Sequence, residues 1–278
     1  MTNHIGGKSI IITGAGSGFG KLTACRAAAL GASITCADIN LEAAEGVAEE
    51  IRNAGGKAFA IGADVTNIDD MRKVATAAVE RHGAIDVVVN NAGIMPLAFI
   101  SDHAVAFDAW NRCIDINFKG VMNGVVATFD QMIAQGHGHI INVSSIFGNR
   151  GTAGAAVYGA TKAAVDYFSD AVRQEGRGKI KVTVIKPTGV SATGLSGTMI
   201  NPQAVIGIIG HNAADFFQMY QQMQTGTAPA EWADPDSIRY NSLEPDYIAD
   251  AIVHAINQPW GIAISDITVR ASGDCYVL

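Results

Sequence analysis

The run Thr13-Gly14-Ala15-Gly16-Ser17-Gly18-Phe19-Gly20 constrains this chain more than any other segment. It directly follows a short β-branched stretch, Ser9–Thr13, that reads as a buried strand. It opens a helical pattern over Gly20–Leu30 that Gly31 would stop. Glycines at such a junction let the backbone turn tightly and approach a ligand closely. The helix then presents free N–H groups and the positive end of its dipole, which suit a pyrophosphate. A glycine-rich turn alone would be an ordinary connection; its place between strand and helix favours phosphate binding.

The rest of the chain repeats the same unit. Strand patterns at Ser33–Ala37, Ala58–Ala63, Ile85–Asn90, Gly138–Ser144 and Lys181–Lys186 alternate with helical patterns at Leu41–Ala54, Ile68–His82, Phe107–Gln135 and Ala155–Glu175. Strand then helix, repeated, implies right-handed crossovers and a parallel sheet covered on both faces. The expected fold is therefore α/β, a doubly wound parallel sheet that binds its ligand beyond the carboxyl ends of the strands. After Lys186 the pattern loosens. Gln203–Gln224 is apolar enough for one or two helices interrupted by Gly207 and Gly210, and Thr225–Asn241 is loop-like. Pro245–Asn257 reads as a helix and Ile262–Val269 as a last strand. No internal repeat or low-complexity linker marks a boundary, so residues 1–278 are expected to form one domain.

Composition narrows the function classes. The 278 residues are 49% hydrophobic and 16% charged, enough to bury a large core, and the net charge of −7 argues against nucleic acid or an anionic membrane as partner. No run of about 18 apolar residues suggests a spanning helix, and residues 1–8 lack a signal-peptide core. Cys25, Cys36, Cys113 and Cys275 form no close pair, as expected of reduced thiols in a cytoplasmic protein. His137-x-His139 has no acidic or cysteine partner beside it and reads as a polar turn; no metal site is expected.

Asp38 ends the second strand, 24 residues past Gly14. A carboxylate there can accept hydrogen bonds from the adenosine ribose hydroxyls and would repel the extra phosphate of NADP. Ala15 and Ile39 bring no compensating positive charge, so NAD is the expected cofactor.

The spacing T-G-x-x-x-G-x-G, with Asn90-Asn91-Ala92-Gly93 after the fourth strand and Tyr158-x-x-x-Lys162 downstream, resembles the short-chain dehydrogenase/reductase family over about residues 6–190. The resemblance implies a Rossmann-type domain and a cofactor site carried by Gly14, Ser17, Gly18, Phe19 and Gly20. Asp64 and Val65 would line the adenine pocket, with Asn90, Asn91, Ala92 and Gly93 shaping the backbone near the ribose. It also implies a catalytic set of Asn117, Ser145, Tyr158 and Lys162, in which Asn117 holds a water of the proton relay. Ser144 fits the spacing to Tyr158 less well than Ser145. Asp86 matches an aspartate with a structural role. A homotetramer or dimer is implied as well.

The residue chemistry agrees with that set. Tyr158 and Lys162, four apart on a predicted helix, share a face. An ammonium nearby is expected to lower the phenol pKa towards a range useful for general acid/base work. Ser145 can steady charge on a substrate oxygen.

The run Lys186-Pro187-Thr188-Gly189-Val190-Ser191-Ala192-Thr193 departs from the family, which usually shows Pro-Gly followed by a valine and a threonine that meet the nicotinamide. Pro187 and Val190 keep their places; either Ser191 or Thr193 would supply the hydroxyl. Residues 188–244 are expected to form a substrate cap whose apolar side chains, Val205 to Tyr220, suit a hydrophobic alcohol or ketone of cyclic, aromatic or terpenoid kind. The same apolar face, and Met199, Met219 and Met223 with it, would equally suit a subunit interface. Ile264–Arg270 lacks the Asp-Gly-Gly ending of many relatives and looks more like the hydroxy-acid dehydrogenases. The expected activity is NAD(H)-dependent interconversion of a secondary alcohol and a ketone. The alternatives are an NADPH-dependent carbonyl or hydroxy-acid reductase and a non-catalytic NAD-binding scaffold.

Overall fold

The computed structural model describes residues 2–190 and 194–278. Seven strands form one parallel sheet: β1 Ser9–Thr13, β2 Ser33–Asp38, β3 Lys57–Gly62, β4 Val87–Asn90, β5 Gly138–Val143, β6 Ile180–Pro187 and β7 Asp266–Val269. Their order in space is β3-β2-β1-β4-β5-β6-β7. Every neighbouring pair runs parallel, with Ile10 opposite Ile34 on one side and Val87 on the other. The chain thus starts in the middle of the sheet, winds outward to β3, then returns to β4 and winds the other way. The crevice at that reversal, between β1 and β4, is where such sheets hold ligands.

Two apolar layers enclose the sheet. On one face α1 Gly18–Ala29, α2 Leu41–Asn53 and α9 Pro245–Ile256 bury Ala24, Val47, Ile51 and Ile252 against Ile10, Ile12 and Ile34. On the other, α3 Ile68–His82, α5 Gly120–Gln135 and α6 Ala156–Glu175 bury Val74, Met132 and Val172 against Ile11, Val88 and Ile140. Strands covered on both sides carry continuous apolar runs, which is why β1 and β4 are buried throughout.

Three differences from the sequence reading have physical causes. The helical stretch expected from Phe107 starts earlier, at His103, where the Asp102 carboxylate accepts a hydrogen bond from the Phe99 amide at 2.8 Å. It is divided by a π-helical turn, Asp115–Lys119, between α4 His103–Ile114 and α5, and the Gly120 amide bonds the Asp115 carbonyl five residues back. The last strand is shorter than Ile262–Val269. The Ile262 and Ile264 carbonyls are taken by side chains of β6, the Lys181 ammonium at 3.1 Å and the Thr183 hydroxyl at 2.6 Å, in place of a backbone ladder.

The segment after β6 holds a 3₁₀ turn at Pro202–Val205, α7 Ile206–Ile209 and α8 Ala213–Thr225. Ala204, Ile208 and Ile209 pack on Leu97, Phe147 and Tyr158 to make a third apolar cluster over the carboxyl edge of the sheet. Gly154 and Gly207 permit this approach: a methyl on either would collide with backbone of Ala204 or Ala153. In α8, Phe216 turns into this cluster while Phe217 and Tyr220 are more than half exposed.

Candidate active site

A cavity of about 680 Å³ opens along the carboxyl ends of β1, β2, β4, β5 and β6. Its first wall is the glycine loop. Gly14 and Gly18 adopt positive φ, +65° and +52°, and a side chain at Gly18 would point into open space. Gly20 lies beneath the loop; a methyl there would land on the Gly14 carbonyl and 2.8 Å from Asn91 Nδ2. Ser17, the N-cap of α1, makes no side-chain cap bond, so the first amides of α1 are not capped by it, and Ser17, Gly18 and Phe19 line the cavity.

Asp38 stands beside this loop, one carboxylate oxygen accepting from Gly16 N at 2.8 Å and the other from Asn40 N at 2.9 Å. Asp64 and Val65 continue the same wall. Asn91 fixes the opposite side: its amide nitrogen bonds the carbonyls of Thr13 and Gly14, at 2.9 and 3.2 Å, while its backbone N–H bonds the Thr13 hydroxyl. Ala92 and Gly93 carry the lining onward. Asn90 does not reach the cavity. It is buried in the sheet and donates to Asn142 Oδ1 at 2.8 Å, so its part in the site is to hold β4 against β5.

At the far end Ser145, Tyr158 and Lys162 converge. Ser145 follows β5, its hydroxyl accepting from Phe147 N at 3.3 Å, and also hydrogen-bonds Tyr158. Tyr158, on α6, is 3% exposed, with its ring edge-on to Phe147 at 5.5 Å. Lys162 Nζ donates to the Val143 carbonyl at 2.8 Å and lies 5.7 Å from the Tyr158 ring centre. Ser144 turns the other way and donates to the Lys162 carbonyl at 3.2 Å, which leaves Ser145 to face Tyr158.

Burial corrects one expectation. It pushes the Tyr158 phenol above its ordinary range, outweighing the Ser145 hydrogen bond that favours phenolate, and the neighbouring ammonium does not reverse this. Burial also pulls Lys162 down to about 8. In this state Tyr158 is a neutral proton donor.

Asn117 sits in the π turn, fully buried, and is not part of the cavity wall. Its side chain clamps Ile94, accepting from the amide at 2.9 Å and donating to the carbonyl at 2.8 Å. The side chain is thereby committed to shaping the β4 loop. Pro187 and Val190 line the cavity beside Thr188, whose buried hydroxyl has no partner among the described residues. Ser191 and Thr193 lie outside the described residues.

Several lining residues carried no sequence signal. Ile94, Met95 and Leu97 enter from the loop after β4, and Asn241 from the loop before α9. Tyr276 enters from residues 270–278, where Arg270 bonds Asp274 and the carbonyls of Tyr276 and Leu278. Its ring packs so tightly on Gly189 that a β-carbon there would overlap it. A second group of polar residues lies at the opposite edge: His137 Nε2 is 2.9 Å from Asp86, which also accepts from Ser9 N, and His139 is buried against Thr183. Among the described residues no cluster of three or more His, Cys, Asp or Glu could hold a metal, and no helix is long and apolar enough to cross a membrane.

The family model described as short chain dehydrogenase matches residues 8–203. The chain belongs to the short-chain dehydrogenase family. "Uncharacterized oxidoreductase Lmo0432" of Listeria monocytogenes is 35% identical over 94% of this chain and 95% of its own. "2,5-dichloro-2,5-cyclohexadiene-1,4-diol dehydrogenase LinX" of Sphingobium indicum is 38% identical over 69% and 76%. A metagenomic short-chain oxidoreductase solved with NADP superposes with a TM-score of 0.71, at 26% identity over 95% and 97%. An alcohol dehydrogenase from Thermococcus sibiricus, solved with 5-hydroxy-NADP, shares the fold, with a TM-score of 0.76 at 21% identity over 96% and 97%. The chain is an oxidoreductase of this family.

The cavity fits a nicotinamide dinucleotide on its own features. The glycine loop and the α1 N-terminus present backbone amides, and Gly18 leaves the approach open. Asp38 offers a fixed carboxylate, and the unpartnered Thr188 hydroxyl waits at the catalytic end.

Proposed function

We propose that this short-chain dehydrogenase interconverts a secondary alcohol and a ketone with NAD(H). The observation that carries the reading is the convergence of Ser145, Tyr158 and Lys162 at one end of a single cavity whose other end holds Asp38. When bound, the nicotinamide supplies the hydride chemistry. The Ser145 hydroxyl donates to the substrate oxygen and steadies the charge that develops there. In ketone reduction the neutral Tyr158 phenol gives its proton to that oxygen; in alcohol oxidation the phenolate takes it back. Lys162, protonated below about 8, stabilises the phenolate and offers its ammonium to the cofactor ribose. Asn117 acts by fixing Ile94 and hence the loop over the reacting centre.

Residues 188–244 serve as the substrate cap. Ile208, Phe216 and Met223 line its inner side, facing Met95, Leu97 and Phe147, which suits an apolar and compact substrate. The cyclic diol in the name of LinX is a substrate of that kind. The NADP of the solved neighbours favours a second reading of the cofactor alone, and Asp38 opposes it.

The test is Tyr158→Phe in the purified protein. Turnover of bulky secondary alcohols and their ketones should fall by at least about 100-fold, with NADH binding retained. Near-native turnover would refute the mechanism.

A further inference from the structure

Asn241 is out of place in the wall it occupies. Its neighbours across the side pocket are Phe216, Met219, Tyr220 and Met223 of α8 and Cys275 and Tyr276 of the tail. Yet its amide nitrogen and oxygen are both buried, and neither has a hydrogen-bond partner among the described residues. A buried amide left unpaired on both atoms is costly, and native proteins rarely keep one without a use. Asn241 borders two spaces at once: the main cavity that holds Tyr158, and a side pocket of about 70 Å³ behind α8. It is held there through its backbone, the amide N–H bonding the Trp232 carbonyl at 3.1 Å.

The unpaired atoms specify what would satisfy them. One is a donor and the other an acceptor. A carbonyl group would pair only the nitrogen, and an ammonium only the oxygen. A hydroxyl can donate to Oδ1 and accept from Nδ2. Charge narrows the choice further. The charged residue lining the side pocket is Asp274, and the guanidinium of Arg270 is already spent on Asp274 and on the carbonyls of Tyr276 and Leu278. A carboxylate in the side pocket would therefore meet a carboxylate, with no Lys or Arg among the described residues that line that pocket.

We propose that Asn241 is a specificity-determining residue that binds a second, neutral hydroxyl of the substrate, so that the preferred substrate is a diol or hydroxyketone on an apolar frame. This rests on the alcohol–ketone reading above and deepens it. It also disfavours a hydroxy-acid substrate whose carboxylate enters the side pocket.

The probes are cyclohexanol against cyclohexane-1,2-, 1,3- and 1,4-diol, and 4-cyclohexylcyclohexanol against its 4′-hydroxy derivative. In the native protein one diol should exceed its mono-alcohol in kcat/KM by about tenfold or more. In Asn241→Leu that ratio should fall to near one. Asn241→Asp, which lacks the donor, should lose it too. A second reading needs no turnover. Replacing the unpaired amide by a side chain of similar size should raise the melting temperature of Asn241→Leu by roughly 2–4 °C. Equal diol ratios in native and variant proteins that both oxidise mono-alcohols would overturn the role of Asn241 and leave the proposed reaction standing. A fall in melting temperature, or weaker NADH binding in Asn241→Leu, would also overturn it, by showing that solvent or the cofactor already pairs the amide. If no alcohol or ketone were turned over, the reaction itself would fail, and the melting shift would judge Asn241 alone.

Discussion

The choice between NAD and NADP turns on Asp38, and its size can be worked from the geometry. Both carboxylate oxygens are held by backbone amides, Gly16 N at 2.8 Å and Asn40 N at 2.9 Å, so the side chain cannot swing aside when a phosphate approaches. A methyl on Gly16 would already lie 3.0 Å from Oδ2, which shows how closely the loop embraces it. The 2′-phosphate of NADP carries about −1.5 to −2 charges near neutral pH. At a separation of about 5 Å, each charge pair costs about 0.8 kcal/mol in a fully water-like medium and more where solvent is partly excluded. The total is about 1.2–2.8 kcal/mol, or roughly 8–100-fold in favour of NADH. Asp38→Asn keeps an acceptor for one backbone amide and removes the charge, so the preference should shrink to within about threefold. Titration with NADH and NADPH, followed by protein fluorescence quenching, measures both ratios. Repeating it at high salt should narrow the native preference, because screening acts on a partly exposed carboxylate. Native protein that binds NADPH as tightly as NADH would refute the reasoning, and the cofactor of the solved neighbours would then apply here too.

Further outcomes follow from other positions. Gly20→Ala would drive a β-carbon into the Gly14 carbonyl, which is backbone and cannot move aside; it should cost about 1–3 kcal/mol in denaturant unfolding and weaken NADH binding, and unchanged values of both would contradict the packing. Arg270→Met removes the guanidinium that folds the tail beneath Tyr276, so KM for substrate should rise roughly tenfold while NADH affinity stays close to native. Burial holds His139 neutral, well below its ordinary pKa, reinforced by Lys181 and Lys8. The unfolded chain therefore binds the extra proton first, and stability should fall as pH drops below about 6.5, by up to about 1.4 kcal/mol per unit from this residue. His139→Gln should flatten that slope in chemical unfolding, and an unaltered slope would exclude His139 as its source.

Much of the molecule was legible because it depends on local patterns. Ile68–His82 was readable to the residue, since Asn67 caps its start and Gly83, at φ +83°, ends it. The glycine loop, Asp38 and the Tyr158–Lys162 spacing were legible because their geometry is set within a few residues. The sign of the Tyr158 shift was not, because it depends on burial by α7 and Phe147, which arrive from elsewhere in the chain. Asn117 stood out through the family resemblance, but what its side chain holds was not legible, because its partner Ile94 lies 23 residues away on another element. Asn241 and Tyr276 had no signal at all: nothing local says that a loop before α9 and a tail after β7 return to the same cavity.

The contact between Gly189 and Tyr276 reaches beyond this one chain. Thr188 stands where the family usually has the glycine after the proline, and the volume left by the missing side chain of the next residue, Gly189, is filled by the Tyr276 phenol. Two groups cannot share that volume. Among relatives that keep this backbone, a side chain at the position of Gly189 and an aromatic ring at the position of Tyr276 should be mutually exclusive. The pair would then be inherited together, as linked substitutions almost ninety residues apart, and lineages that lost the glycine would have had to abandon the ring first.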